Sequence, residues 1–96
     1  MALDLDRIRK DLDSLNHEIV DAIEKRMELV FKVAEYKDRN NMDIVDKDRE
    51  EEVKQKFEQL FQERELPEDR GRELAEYLIQ TAIDKEEEIL ERQISR

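Results

Sequence analysis

The most restrictive feature of this chain is one apolar seam that runs from Leu5 to Lys37 without a break. Leu5, Ile8, Leu12, Leu15, Ile19, Ile23, Arg26, Val30, Val33 and Lys37 follow one another in steps of three and four residues. That spacing puts them on one side of an α-helix, and no Gly or Pro interrupts it. Toward its end the seam changes character. Arg26 and Lys37, eleven residues apart, flank Leu29, Val30 and Val33, which should face a core. Eleven steps of about 100° return to nearly the same face. Two cations on the inward side of a helix are either the frayed ends of a core or the walls of an anion pocket.

The rest of the chain is punctuated twice. Asp38-Arg39-Asn40-Asn41 ends the first pattern with turn-prone residues, and Met42 to Val45 form a short link. Asp46 or Asp48 can cap a second helix whose seam is Val53, Phe57, Leu60 and Phe61. "ELPED", residues 65 to 69, is the second break; Pro67 fits a first helical position, and Glu68 and Asp69 suit the positive end of the dipole. The third seam is Leu74, Ala75, Leu78, Ile79, Ala82, Glu86, Ile89 and Gln93. The expectation is an all-α fold in one domain, 1–96, with helices over about 3–39, 46–64 and 67–94.

Length adds a constraint. A helix of about 36 residues is about 54 Å long, whereas a compact domain of this size has a radius of gyration of about 13 Å. Two shorter helices cannot cover such a rod. Its uncovered seam calls for a second copy, giving an intertwined homodimeric helical bundle with the long helices antiparallel about a two-fold axis. The simpler alternative is an isolated three-helix bundle with a bent first helix, but nothing in the sequence marks a kink.

Charge narrows the partners. The 18 basic and 28 acidic side chains give a net charge of −10, which argues against nucleic acid and anionic membrane surfaces. No apolar run is long enough for a membrane span or a signal-peptide core, so a cytoplasmic location is expected. Zero Cys excludes disulfides and thiolate chemistry. The lone His17 reads as an exposed helix residue; it excludes His-rich metal sites and His-dependent triads, and no metal or cofactor is expected.

Several charges nonetheless sit where apolar residues belong: Arg9, Arg26, Lys37 and Arg49, with Asp46 and Glu50 beside them and Glu86 on the third seam. Each has a plain reading. Arg9 can snorkel at a helix edge, Arg26 can pair with a neighbouring Glu, and Glu86 can be a solvated position. Lys37 suits a helix C-terminus, and Asp46 and Glu50 suit a helix start. Taken together, inward charges from three segments suggest a pocket whose missing partner is a ligand. Arg9 lies about 25 Å along the helix from Arg26 and points elsewhere. It can serve the same small-molecule pocket only from the other chain of an antiparallel dimer.

These residues resemble those of the all-helical chorismate mutases. The likeness covers essentially the whole chain and is strongest in "IRKDLDSLNHEIVDAIEKRMELVFKVAEYK", 8 to 37, and "DKDREEEV", 46 to 53. Arg9, Arg26, Lys37, Asp46, Arg49 and Glu50 match the family's pattern without gaps. The resemblance implies an intertwined dimer with two equivalent sites, each borrowing one Arg, and conversion of chorismate to prephenate by an intramolecular Claisen rearrangement. It implies carboxylate clamping by Arg26 and the partner chain's Arg9. Lys37 would donate to the breaking ether oxygen, and Glu50 would accept from the ring hydroxyl with help from the Asp46 amide. Arg49 would lie beside the site, shaping its field and holding Glu50 or a carboxylate.

The sequence departs from that pattern in the last helix. The family often has Ser or Thr one turn before a Gln that donates to the ether oxygen; here these positions are Ala82 and Glu86. An ionised Glu accepts hydrogen bonds and cannot donate one. A fungal branch of the family carries Glu there in protonated form, so the resemblance implies that Glu86 works neutral. Two alternatives accompany this reading: an isochorismate-pyruvate lyase of the same fold, which "DKDRE" disfavours, and a non-catalytic helical dimerisation module.

Overall fold

The computed structural model describes residues 4–94, and within them the side chains of all but residues 90 and 92–94. Residue 3, the expected start of the first helix, and the side chain of Gln93, assigned to the third seam, lie outside that description. The described chain holds three α-helices and no strand: α1 (Leu5–Arg39), α2 (Lys47–Glu63) and α3 (Glu68–Ile94). Asp4 caps α1, its carboxylate accepting from the amides of Asp6 and Arg7 at 3.1 and 3.3 Å. Asp46 caps α2 by accepting from the Arg49 amide at 3.1 Å. At α3 the Pro67 carbonyl accepts from the amides of Arg70 and Gly71, so the proline stands just outside the first helical residue.

Both α1 and α2 stop in the same way. The Met42 amide reaches back to the Lys37 carbonyl at 2.8 Å and the Asn41 amide to Asp38 at 3.3 Å. In α2 the Leu66 amide reaches Phe61 at 2.9 Å and the Glu65 amide reaches Gln62 at 3.1 Å. These paired bonds are Schellman motifs, which require a left-handed residue just past the helix. Asn41 (φ 54) and Glu65 (φ 57) fill that role in the absence of a turn glycine.

The one glycine serves packing instead. Gly71 lies inside α3, where a Cβ would stand 2.7 Å from the Phe57 carbonyl oxygen and 2.9 Å from the Phe61 ring. It lets α3 approach α2 closely and begins a buried row of Gly71, Ala75, Leu78, Ala82 and Glu86. α2 packs along α3, and the C-terminal half of α1 rests on α3 and not on α2. On α1 the half-buried side chains are Ile23, Arg26, Met27, Val30, Phe31, Ala34 and Lys37. Leu29 and Val33, expected to face a core, stay exposed within one chain at 61% and 49%. The α1–α3 contact turns the Arg26–Lys37 side inward and leaves the Leu29 side open.

Along the N-terminal half of α1 the seam residues Leu5, Ile8, Leu12, Leu15 and Ile19 are all exposed. The chain measures 62 × 29 × 15 Å with a radius of gyration of 17.5 Å, well beyond the about 13 Å of a compact domain this size.

Candidate active site

The backbone just described gathers charge around one cleft of about 210 Å³ between α1, the start of α2 and the middle of α3. α1 contributes Arg26, Val30, Val33 and Lys37; the loop and α2 contribute Ile44, Asp46, Arg49, Glu50 and Val53; α3 contributes Ile79, Ala82, Ile83 and Glu86. Of the site residues read from the sequence, all but Arg9 line this cleft. Arg9 is exposed on the free half of α1.

Arg26 is half-buried and makes no hydrogen bond or ion pair among the described residues. Burial, and after it the Arg49 charge, pulls its pKa below the usual guanidinium value. Arg26 lines the cleft with five N–H donors, none of them bonded to a protein acceptor. Lys37 is better placed: its ammonium donates to the Ile44 carbonyl oxygen at 2.8 Å and keeps two protons free. Arg49 extends outward, donating to Glu52 at 3.2 Å on the exposed side of α2. Arg49 makes no bond to Glu50 among the described residues; a substrate carboxylate is the other partner expected of it.

The acids complement these cations. Glu50 Oε2 and Glu86 Oε2 are both buried without a hydrogen-bond partner. Glu86 is only 6% exposed. Burial raises its pKa, and the nearby Lys37 charge opposes the rise. A carboxyl can donate a hydrogen bond only while it carries its proton, and the upward shift extends the pH range over which it does. Ala82, one turn earlier, is buried at 7% and offers no polar group.

A larger cleft of about 340 Å³ adjoins the first and shares Ile44 and Glu86 with it. Its rim carries Glu35 and Asp38 against one cation, Arg39, over Phe31, Ala34, Met42 and Ile89. An anion is better matched by the smaller cleft, where Arg26 and Lys37 converge. Among the described residues no group of His, Asp and Glu is arranged to hold a metal ion. No helix there is long and apolar enough to cross a membrane.

Two structural residues had no place in the sequence reading. Gly71 keeps the four-three-four phase of Ala75, Leu78 and Ala82, so its small size was a legible packing signal. Arg72 forks Glu51 at 2.9 and 3.1 Å and bonds Glu58 at 2.8 Å, across from α3 to α2. In a sequence so rich in charge, nothing singled that cluster out.

Fold and cleft thus define a three-helix protein in which an unpaired guanidinium, a lysine and two buried acids line one small cleft. The chain belongs to the family described as chorismate mutase type II, whose model matches residues 8–93. No curated protein and no solved structure matches it.

Proposed function

We propose that this protein is a chorismate mutase, an isomerase that converts chorismate to prephenate as a cytoplasmic homodimer without a cofactor. The observation that carries the reading is Arg26: an unpaired, half-buried guanidinium facing a cleft shared with Lys37 and two orphaned carboxyl oxygens. Such a cation is costly unless an anion completes it. A substrate with two carboxylates, an ether oxygen and a ring hydroxyl supplies partners for every one of these groups.

The rearrangement breaks the ether C–O bond as a new C–C bond forms within the same molecule, and no proton changes owner. The protein therefore has two tasks. It holds a flexible dianion in the folded geometry that brings the bonding carbons together. It also favours the charge that builds on the ether oxygen as the bond stretches. Arg26 clamps one carboxylate through its planar fork. Lys37 and protonated Glu86 donate to the ether oxygen, while Glu50 accepts from the ring hydroxyl with the Asp46 amide beside it. Arg49 adds positive potential at the rim.

The second carboxylate needs another cation, which the partner subunit's Arg9 provides. Shape and surface support a dimer. The chain exposes 8319 Å², about 2,400 Å² beyond the about 5,900 Å² typical of a folded monomer of its mass. That excess has the scale of an obligate subunit interface, and the bare Leu5–Ile19 stripe is apolar enough to form it.

Incubation with chorismate, following loss of its absorbance and appearance of prephenate, tests the proposal, with Arg26→Ala as the control. Prephenate formed by the wild type and not by the variant supports it. Salicylate and pyruvate formed from isochorismate, with chorismate untouched, would make the protein a lyase. No turnover of either substrate would leave a helical dimerisation module.

A further inference from the structure

We infer that Arg72, which lines neither cleft, is a positioning residue that aims Glu50 at the ring hydroxyl of the substrate; the inference rests on the mutase reading. The start of α2 carries Glu50 into the cleft, yet the Glu50 carboxylate has no protein partner to orient it. Within one chain the backbone of α2 lies against α3 and not against α1, so α3 is the element that chiefly fixes the rotation of this helix. Near its C-terminal half α2 is pinned by the close approach of Gly71 to Phe57 and Phe61. Toward its N-terminus the corresponding hold comes from Arg72.

The geometry of that hold is directional. Nη1 and Nη2 of Arg72 donate to the two oxygens of Glu51 at 3.1 and 2.9 Å. The same Nη1 donates to Glu58 two turns later at 2.8 Å, and Glu76 lies 3.6 Å from Nε. A forked guanidinium fixes the plane and the distance of its acceptor, which a single ammonium cannot do. Glu51 follows Glu50 directly, about 100° around the helix. Clamping the one therefore sets the azimuth of the other. Anchoring Glu58 as well resists axial slip of α2 along α3. By contrast Arg49–Glu52, Arg70–Glu73 and Lys85–Glu88 each join residues of a single helix.

A structural role alone would weaken every reaction of the site alike, whereas loss of Glu50 aim is felt only where a hydroxyl is there to be bound. The test compares chorismate with an analogue lacking the ring hydroxyl. The variants are Arg72→Gln, Arg72→Lys and, as a charge-matched control, Arg70→Gln. On chorismate, Arg72→Gln is expected to lose about tenfold in kcat/KM, with less than about twofold on the analogue. Arg72→Lys keeps the charge without the fork and should fall between, while Arg70→Gln stays at the wild-type value. Parallel losses on both substrates, or no loss on chorismate, overturn the inference alone. A wild-type protein that turns over neither substrate overturns the reading of the cleft and this inference with it.

Discussion

Lys37 gives one ammonium proton to the carbonyl oxygen of Ile44, 2.8 Å away. The bond spans the turn between α1 and α2, and the Lys37 carbonyl closes the same turn by accepting from the Met42 amide. One residue thus ends α1, steadies the loop and faces the cleft. Its ammonium is already oriented before any ligand arrives, and Glu86 is buried close enough to feel its charge. A pre-aimed donor costs little reorganisation when charge develops on a substrate oxygen.

Lys37 and Arg26 should separate activity from stability. Lys37→Met removes both the donor and the tie to the loop. It is expected to lower turnover by about a hundredfold and stability by about 1 kcal/mol. Arg26→Met removes a guanidinium with no partner in the free protein. Its turnover should fall at least as far, but its melting temperature should hold or rise, because a half-buried unpaired charge is relieved. Parallel kinetics and thermal denaturation of the free proteins check both; a destabilised Arg26→Met would show that Arg26 has a structural partner after all.

If Glu86 donates to the ether oxygen as proposed, activity should depend on pH in one direction. Burial raises its folded pKa above the ordinary 4.5, with Lys37 opposing. Between the unfolded and folded values the native state holds the extra proton. Stability is therefore full below the unfolded value and falls as pH rises through the folded one. Turnover should fall over the same range, since only the neutral carboxyl donates to the ether oxygen. Asp46, Glu50, Arg26 and Arg49 share the cleft, so the comparison must isolate Glu86. Glu86→Gln should flatten the rate profile and exceed the wild type on its alkaline side. A wild-type rate that climbs with pH would contradict this role.

Particular residues explain which features were legible in the sequence. The three-helix order followed from seams of threes and fours, which are set by local geometry and need no partner to be read. Arg26, Lys37 and Glu86 stood out because each breaks an apolar row, and Asp46 and Glu50 because they accompany such charges at the start of α2; the cleft brings all five together. Leu29 stays exposed in the single chain; periodicity marks a face without saying which neighbour covers it. Pairings across helices left no periodic trace: Arg72 with Glu51 and Glu58 depends on how α3 lies on α2. The outward turn of Arg49 toward Glu52 is a choice between two adjacent acids that spacing cannot decide.

Exchanging the roles of two backbone positions should move stability in opposite directions. Gly71→Ala adds a Cβ 2.7 Å from the Phe57 carbonyl, which is backbone and cannot swing away. The clash should cost about 2 kcal/mol, more than the about 1 kcal/mol that Ala gains over Gly in a helix. Glu65, held at φ 57, bears a left-handed penalty of about 1–2 kcal/mol. Glu65→Gly removes it, offset in part by greater freedom of the unfolded chain, for a net gain of about 0.5 kcal/mol. Urea denaturation measures both; a Gly71→Ala variant at least as stable as the wild type would refute the close approach.

The proposal that two subunits share each site is tested most sharply by mixing two variants expected to be inactive. Arg9 is exposed and about 25 Å along α1 from the Arg26 of its own chain, so the two can serve one substrate only across a dimer. Arg9→Ala and Arg26→Ala homodimers should each be nearly inactive, every site lacking one carboxylate clamp. Unfolding and refolding an equimolar mixture allows mixed dimers to form. In a mixed dimer one site carries both defects and the other carries neither. Random pairing then restores about a quarter of wild-type activity, and the recovered sites should have the wild-type KM. Refolded mixtures no more active than their separate parents would place Arg9 outside the site. A light-scattering mass of one chain, with full mutase activity, would dispense with the second subunit altogether.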